Sequence, residues 1–195
     1  TSTYSNNEKY RAPTIIEHIL NNELGQNVDI SGDTPPEYDW HYSFTINKKI
    51  NSKKLIEGIA SASPYIPRFN NMGEFKFDVI PEDGGSVPEG NTISDADVID
   101  FSFSRTSIND VYTKIEFFYN EIVNGVTTTI HPDSTFVIDD DRGKYIRDEG
   151  TAQSFADWYL MWSCNQKLKM KIKLPLKYMF LEIGDMVDFG ETVNG

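Results

Sequence analysis

Cysteine and long apolar runs are what this 195-residue sequence has least of. Cys164 is the single cysteine, so no disulfide can form within the chain, and its apolar helical surroundings favour a small buried side chain. No run of 18 apolar residues occurs, so no membrane span is predicted. The segment from Thr1 to Ser5 lacks the basic and then apolar order of a signal peptide.

Basic residues are also few, because 18 Lys and Arg oppose 30 Asp and Glu for a net charge of −12. Both halves are acidic, with 8 basic against 13 acidic residues up to Gly90 and 10 against 17 after it. Nucleic-acid binding usually needs a basic patch, so the overall sign argues against it. An acidic surface is more typical of a chain that stays soluble than of one with a specific cationic partner.

Common catalytic patterns are absent as well. The histidines, His18, His41 and His131, are scattered without metal-ligand spacing, and no Gly-x-Ser-x-Gly or phosphate-binding glycine loop occurs. We therefore predict no catalytic residue, no metal and no cofactor. A glycosidase pair of carboxylates stays open, because such a pair needs only the right separation in space.

One acidic cluster invites a calcium interpretation (Asp139, Asp140, Asp141, Asp148 and Glu149). A calcium loop needs glycine at its sixth position and a glutamate at its twelfth. Counted from Asp139, glycine falls at position five and Gly150 stands at position twelve. The spacing favours a solvated acidic turn and leaves open a weak cation site at Asp139–Asp141.

The first eighty residues have the periodicity of a compact α+β unit. We predict a helix over 12–25, entered through Pro13 and capped by Thr14 and Glu17, and a second helix from about Asn51. Trp40 to Ile46 alternates like a half-buried strand, and 65–69 with 74–80 predicts a hairpin. The segment from 81 to 91, rich in Gly and Pro, predicts a linker.

Beyond that linker the pattern is mostly that of strands. We predict strands over 98–105, 111–122, 126–130, 135–138, 167–174 and 176–189, with one helix over 151–165. Asn124-Gly125 is typical of a two-residue hairpin turn. The fold prediction is thus α+β, with an α+β unit in 1–85 and a mostly antiparallel, β-barrel-like domain with one packed helix in 86–195.

Four lysines stand at period two, which places their amines on one face of one strand: Lys167, Lys169, Lys171 and Lys173. They are either a solvated strand face that discourages aggregation or a basic strip facing an acidic neighbour, another subunit or a nucleic acid. Tyr112 and Tyr119, like Tyr65 and Trp162, are candidate interface anchors, with ordinary core packing as the alternative.

Four segments follow one another in a set order along the chain. A helix is entered through Pro13, a strand-then-helix step follows over 40–56, an alternating strand begins at Asp97, and a glycine-aspartate turn, Gly184-Asp185, lies within 174–187. In this order they resemble the hub and tip proteins of bacteriophage tails, whose closing strand pair has such a turn. The first hub barrel of the family is missing and the sequence does not begin with Met, so we expect a fragment of a longer polypeptide.

The resemblance implies a structural component of the virion tail, assembled in the host cytoplasm. It implies a homotrimeric ring that joins other tail proteins and works without catalysis, because the family pattern has no catalytic residues to carry over. Two alternatives remain, a tail-associated glycan hydrolase and a carbohydrate-binding adhesin module.

Overall fold

The computed structural model describes residues 2–4, 11–30, 38–79, 87, 90–120 and 124–189 of the 195. These residues form the helices α1 (Ala12–His18), α2 (Ser52–Ser61) and α3 (Glu149–Ser163). The strands are β1 (Ser2–Tyr4), β2 (Phe44–Ile46), β3 (Tyr65–Phe69), β4 (Phe75–Val79), β5 (Thr92–Ile93), β6 (Asp100–Arg105), β7 (Lys114–Tyr119), β8 (Asn124–Thr129), β9 (Thr135–Ile138), β10 (Leu168–Lys173) and β11 (Asp188–Phe189). The predicted α+β class is confirmed, and most of the predicted linker lies outside the described residues.

The strands pair into several small sheets. β7 lies between β8, which is antiparallel to it, and β9, which is parallel to it. The other described strands form pairs: β1–β2, β3–β4 and β6–β10 are antiparallel, and β5–β11 is parallel. Within the described residues the pairing is mostly antiparallel, as predicted, and no sheet closes into a barrel.

The start of α1 differs from its prediction in one detail. Pro13 lies in the first turn, where its missing N–H has no helical partner to lose. The predicted cap by Thr14 and Glu17 is wrong, because Arg11 is the N-cap residue and its side chain makes no capping hydrogen bond. Arg11 instead donates to Asp39 at 2.7 Å.

The same helix ends in a wider turn. Residues Ile19–Glu23 are π-helical, and Gly25 then takes a φ of +65°, a conformation that suits glycine. The large apolar residues of the predicted helix are buried except the last, Leu24, which is exposed (buried: Ile15, Ile16, Ile19 and Leu20).

The next elements follow their sequence signals closely. Asn51 caps α2 by accepting a hydrogen bond from the Lys54 amide, as the predicted start of this helix near Asn51 requires, and the helix buries its apolar face. The hairpin β3–β4 forms with Phe77 fully buried. The alternation over Trp40 to Ile46 is also confirmed in burial, although β2 begins only at Phe44 and Tyr42 adds a single bridge to Ile146.

The hairpin of β7 and β8 turns earlier than predicted. Asn124 and Gly125 already belong to β8 and pair with Tyr119 and Phe118, so the predicted two-residue turn is wrong. The chain leaves β7 at Asn120, whose φ of +52° lies in the left-handed region that asparagine tolerates. Residues 121–123 are outside the described part of the chain.

The predicted final strand over 176–189 is also wrong. After Pro175 the chain forms a 3-10 turn, Leu176–Tyr178, and only Asp188 and Phe189 are extended and paired, in parallel, with β5. Gly184 does form the predicted turn, with a φ of +95°. The closing strand pair expected over 174–187 is therefore not formed, because backbone groups at its start bond locally within that turn.

One apolar core joins the described helices with the strands β2–β4 and β7–β9. Asp148 caps α3 by accepting from the Thr151 amide at 2.8 Å, and the helix places Phe155 in the core. The ring of Phe155 lies 6.2 Å from that of Trp40 and 4.7 Å from that of Phe117. The core thus contains residues from both predicted units, and the division near residue 85 stays a prediction.

Candidate assembly surface

The strands β6 and β10 form a two-stranded ribbon with two chemically different faces. Their antiparallel register pairs Phe101 with Ile172 and Phe103 with Met170, which places these four side chains on one face. We call this the apolar face of the ribbon; it also includes Leu168 and, by alternation, Ile99, and at its end it carries Arg105, the cross-strand partner of Leu168. The other face carries the lysines of β10 opposite Asp100, Ser102 and Ser104.

Four of the six apolar side chains of this face are exposed to solvent, and Met170 and Ile172 are half-buried. Phe101 is 48% exposed, Phe103 is 45% exposed and Leu168 is 61% exposed. The two phenylalanine rings contact each other edge to face, with centroids 5.4 Å apart. None of the residues of this face belongs to the buried core cluster or packs against it. The ribbon therefore presents an apolar surface that the described part of its own chain leaves uncovered.

The lysine face carries cations that form no ion pair with the part of the chain that the structure describes. Lys169, Lys171 and Lys173 are exposed, and no acidic side chain of the described residues lies within ion-pair distance of them. Lys167 differs, because its Nζ lies 4.6 Å from the ring centroid of Trp162 in a cation–π contact. The predicted common face is thus confirmed for three lysines as an exposed row. Its role in an interface stays a prediction.

The aromatic candidates are placed mostly in the core. Tyr119 and Tyr65 are buried, and Tyr112 is half-buried with its ring stacked on Phe136 at 4.6 Å. Trp162 is the exposed member, at 46%, and its ring stacks on Trp158. The structure places Tyr119 and Tyr65 in the core, which is the alternative that the sequence left open.

A second exposed apolar surface lies directly after the ribbon. Four side chains of the 176–183 segment point into solvent: Leu176, Met179, Phe180 and Ile183. The segment is fastened by Tyr178, which donates to Asp97 at 2.8 Å, and by Lys177, which pairs with the same carboxylate. These bonds, that of Lys177 above all, hold the pKa of Asp97 below its ordinary value. The sequence prediction of a strand here missed this surface, although the loss of alternation after Pro175 was visible.

The far end of this segment is tied to the hairpin β3–β4. Glu182 accepts from the Asn71 amide at 2.8 Å and from Arg68 at 2.5 Å, and Arg68 also pairs with Asp78. The amide of Asn71 and then the guanidinium of Arg68 lower the pKa of Glu182. Both ends of the apolar segment are thus anchored by charged groups while its apolar side chains stay outside.

Acidic residues of the predicted cluster bond to groups that are close to them in the sequence. Asp140 bonds to Arg142, whose guanidinium lowers the pKa of that carboxyl, and Asp141 pairs with Lys144 at 2.8 Å. Asp148 is the cap of α3. No group of three or more His, Cys, Asp or Glu side chains suited to a metal ion occurs among the described residues. None of the described helices has both the length and the apolar character needed to cross a membrane.

Comparison with known proteins shows a likeness of fold and none of sequence. No protein-family model matches the chain, and no curated protein matches it in sequence. Among solved structures, its fold is similar to that of the 43 kDa tail protein of prophage MuSo2 from Shewanella oneidensis, with a TM-score of 0.60 and 12% sequence identity. The match covers 95% of this chain and 58% of that protein. The chain therefore shares the fold of a little over half of a prophage tail protein.

Proposed function

We propose that the chain is a structural component of a phage or phage-like tail. The observation that carries this proposal is the fold likeness to a prophage tail protein over 95% of the chain. We further propose the hub or tip of the tail as its place, a homotrimer as its assembled state and other tail proteins as its partners. The exposed apolar surfaces of the ribbon and of the 176–183 segment support a function based on contacts between proteins.

A role without catalysis is part of the proposal. Three carboxyl groups with a lowered pKa are each bonded to a cation: Asp97 to Lys177, Asp140 to Arg142 and Glu182 to Arg68. A general acid needs the opposite shift, because it must hold its proton near neutral pH. These three groups therefore do not suit the role of a general acid, and their ion pairs support a function in fastening the chain.

The place in the particle is tested by immunogold electron microscopy of purified particles. An antibody raised against the purified chain is expected to label the distal end of the tail. Labelling along the whole tail would contradict the hub or tip position, and particles without label would contradict a tail function. The trimer is tested by light scattering, where a mass of three chains of 22.2 kDa is expected at every concentration.

The two enzymatic or adhesive alternatives are tested on the same preparation. Purified chain incubated with peptidoglycan or polysaccharide is expected to release no soluble fragments. Turnover that a change of one acidic pair abolishes would favour a glycan hydrolase. Binding to a glycan array without turnover would favour a carbohydrate-binding module.

A further inference from the structure

We propose that the apolar face of the ribbon in one copy packs against the 176–183 segment of a second copy of this chain. This inference rests on the proposed homotrimer and names the two surfaces that form its contact. It starts from the ribbon itself, since an isolated two-stranded sheet is at best marginally stable in water. A ribbon whose apolar face stays open is completed by a partner that covers that face.

The exposed area matches what a specific contact needs. The apolar face has Ile99, Phe101, Phe103 and Leu168 between 45% and 61% exposed. At about 200 Å² for a fully exposed large side chain, these four present about 400 Å². The four apolar side chains of the 176–183 segment, 53% to 84% exposed, present about 600 Å² on the same basis. Together they reach about 1,000 Å², the lower bound for a specific interface.

Charge favours a second copy of the same chain as the occupant. The ribbon and the adjoining Lys167 carry five basic residues and one acidic residue, within a chain whose net charge is −12. Two such chains repel each other over most of their surfaces, whereas the ribbon of one attracts the acidic body of the other. The lysine row lies on the ribbon face opposite the one that packs against the second copy, so it contributes long-range attraction and no direct contact there. Its three exposed lysines form no ion pair with the described residues of their own chain.

Ring symmetry requires two different surfaces on each chain. A closed ring of three copies is built from head-to-tail contacts, in which one patch meets another patch of the next copy. The ribbon and the 176–183 segment are two such patches. Pairing through the free strand edges is disfavoured, because the lysines of β10 are the kind of residue that guards an edge. The contact is therefore made by the face of the ribbon.

Two double variants separate the two patches. Phe101→Thr with Phe103→Thr removes rings from the ribbon and keeps residues that suit a strand. Leu176→Ser with Met179→Ser removes two highly exposed side chains of the segment, leaving Tyr178 and its bond to Asp97 in place. Ser102→Thr with Ser104→Thr, on the lysine face, is the matched control for the ribbon. Far-UV circular dichroism and thermal unfolding establish that each variant is folded.

Light scattering of the full chain then gives the decisive readout. Wild type and the serine-face control are expected to associate alike, and each double variant is expected to associate at least tenfold more weakly. An equimolar mixture of the two double variants is expected to form a species of two chains, because the intact segment of one meets the intact ribbon of the other. Self-association of either variant at the wild-type concentration, or a mixture that stays monomeric, would overturn the inference.

The result is separable from the proposed function. Labelled tails together with variants that still trimerise would refute the named surfaces and leave the tail function standing. Unlabelled particles would refute the tail function, whatever the variants do. A wild-type chain that stays monomeric at all concentrations would refute both the trimer and the contact proposed for it.

Discussion

Replacing Phe155 by alanine tests whether the described helices share one core with the strands β2–β4 and β7–β9. The side chain is fully buried and lies against Trp40 from the first half of the chain and Phe117 from β7. Truncating a buried phenylalanine to alanine costs about 3–5 kcal/mol, since contacts are lost and a cavity remains. We therefore expect Phe155→Ala to lose a large part of a total stability that is about 5–15 kcal/mol for a typical protein.

The expected change in melting temperature follows from the size of the chain. At about 2.1 cal/mol/K per residue, the unfolding entropy of 195 residues is about 0.4 kcal/mol/K. A loss of 3–5 kcal/mol then lowers the Tm by about 7–12 °C. Far-UV circular dichroism and calorimetry measure this shift, with Phe69→Ala as a control at a ring that is 70% exposed.

The outcome also decides how the chain is divided. A single transition that moves as a whole is expected, because Phe155 packs against residues from both sides of position 85. Two transitions of which only one moves would refute the shared core and favour two independent units. A loss below about 1 kcal/mol, similar to that of a surface change, would refute the packing argument itself.

Three further predictions concern other parts of the fold. Gly58→Ala places a methyl group 2.2 Å from the Tyr145 hydroxyl, so we expect a lower urea midpoint and a loss of about 1–3 kcal/mol in the free energy of unfolding. The loss should be smaller in a Tyr145→Phe background, and an unchanged midpoint would contradict the contact. Asp148→Ala removes the cap of α3 and is expected to lower the free energy of unfolding by about 1 kcal/mol, whereas Asp148→Asn keeps a hydrogen-bond acceptor. Equal losses of stability in the two variants would argue against capping. Because the pKa of Glu182 is lowered in the folded chain, its stabilisation is present above the ordinary pKa and lost as the pH falls through the lowered one. Unfolding measured from pH 7 to pH 2 should therefore show a weaker acid dependence in Glu182→Gln, and superimposable profiles would contradict this.

Local signals predicted the elements that they encode directly. The alternation of β7 and the apolar stripe of α2 correspond to burial in the structure, because both patterns arise from a single face packed on the core. The lysine row was likewise visible from its period of two. These features depend only on residues that are close together in the sequence, so the sequence alone is enough to predict them.

Contacts between distant segments could not be predicted from these local patterns. The parallel pairing of β9 with β7 and the parallel pairing of β11 with β5 depend on contacts between distant segments. Alternation in β6 indicated one apolar face, but alternation does not tell whether that face meets the core or stays open. The failure at Asn124-Gly125 has a similar origin, since the turn is set by where β8 pairs and not by the dipeptide alone.

The hydrogen bond from the His41 amide to the Thr151 hydroxyl spans 110 positions of the chain. On a ribosome that adds about 5–20 residues per second, the partner of His41 is made roughly 6–22 s later. During that interval Trp40 and Tyr42 lack Phe155 and Ile146, their partners in the finished protein. The nascent chain therefore exposes apolar surface until residues near 155 have emerged, and synthesis sets the earliest time at which it can close its core.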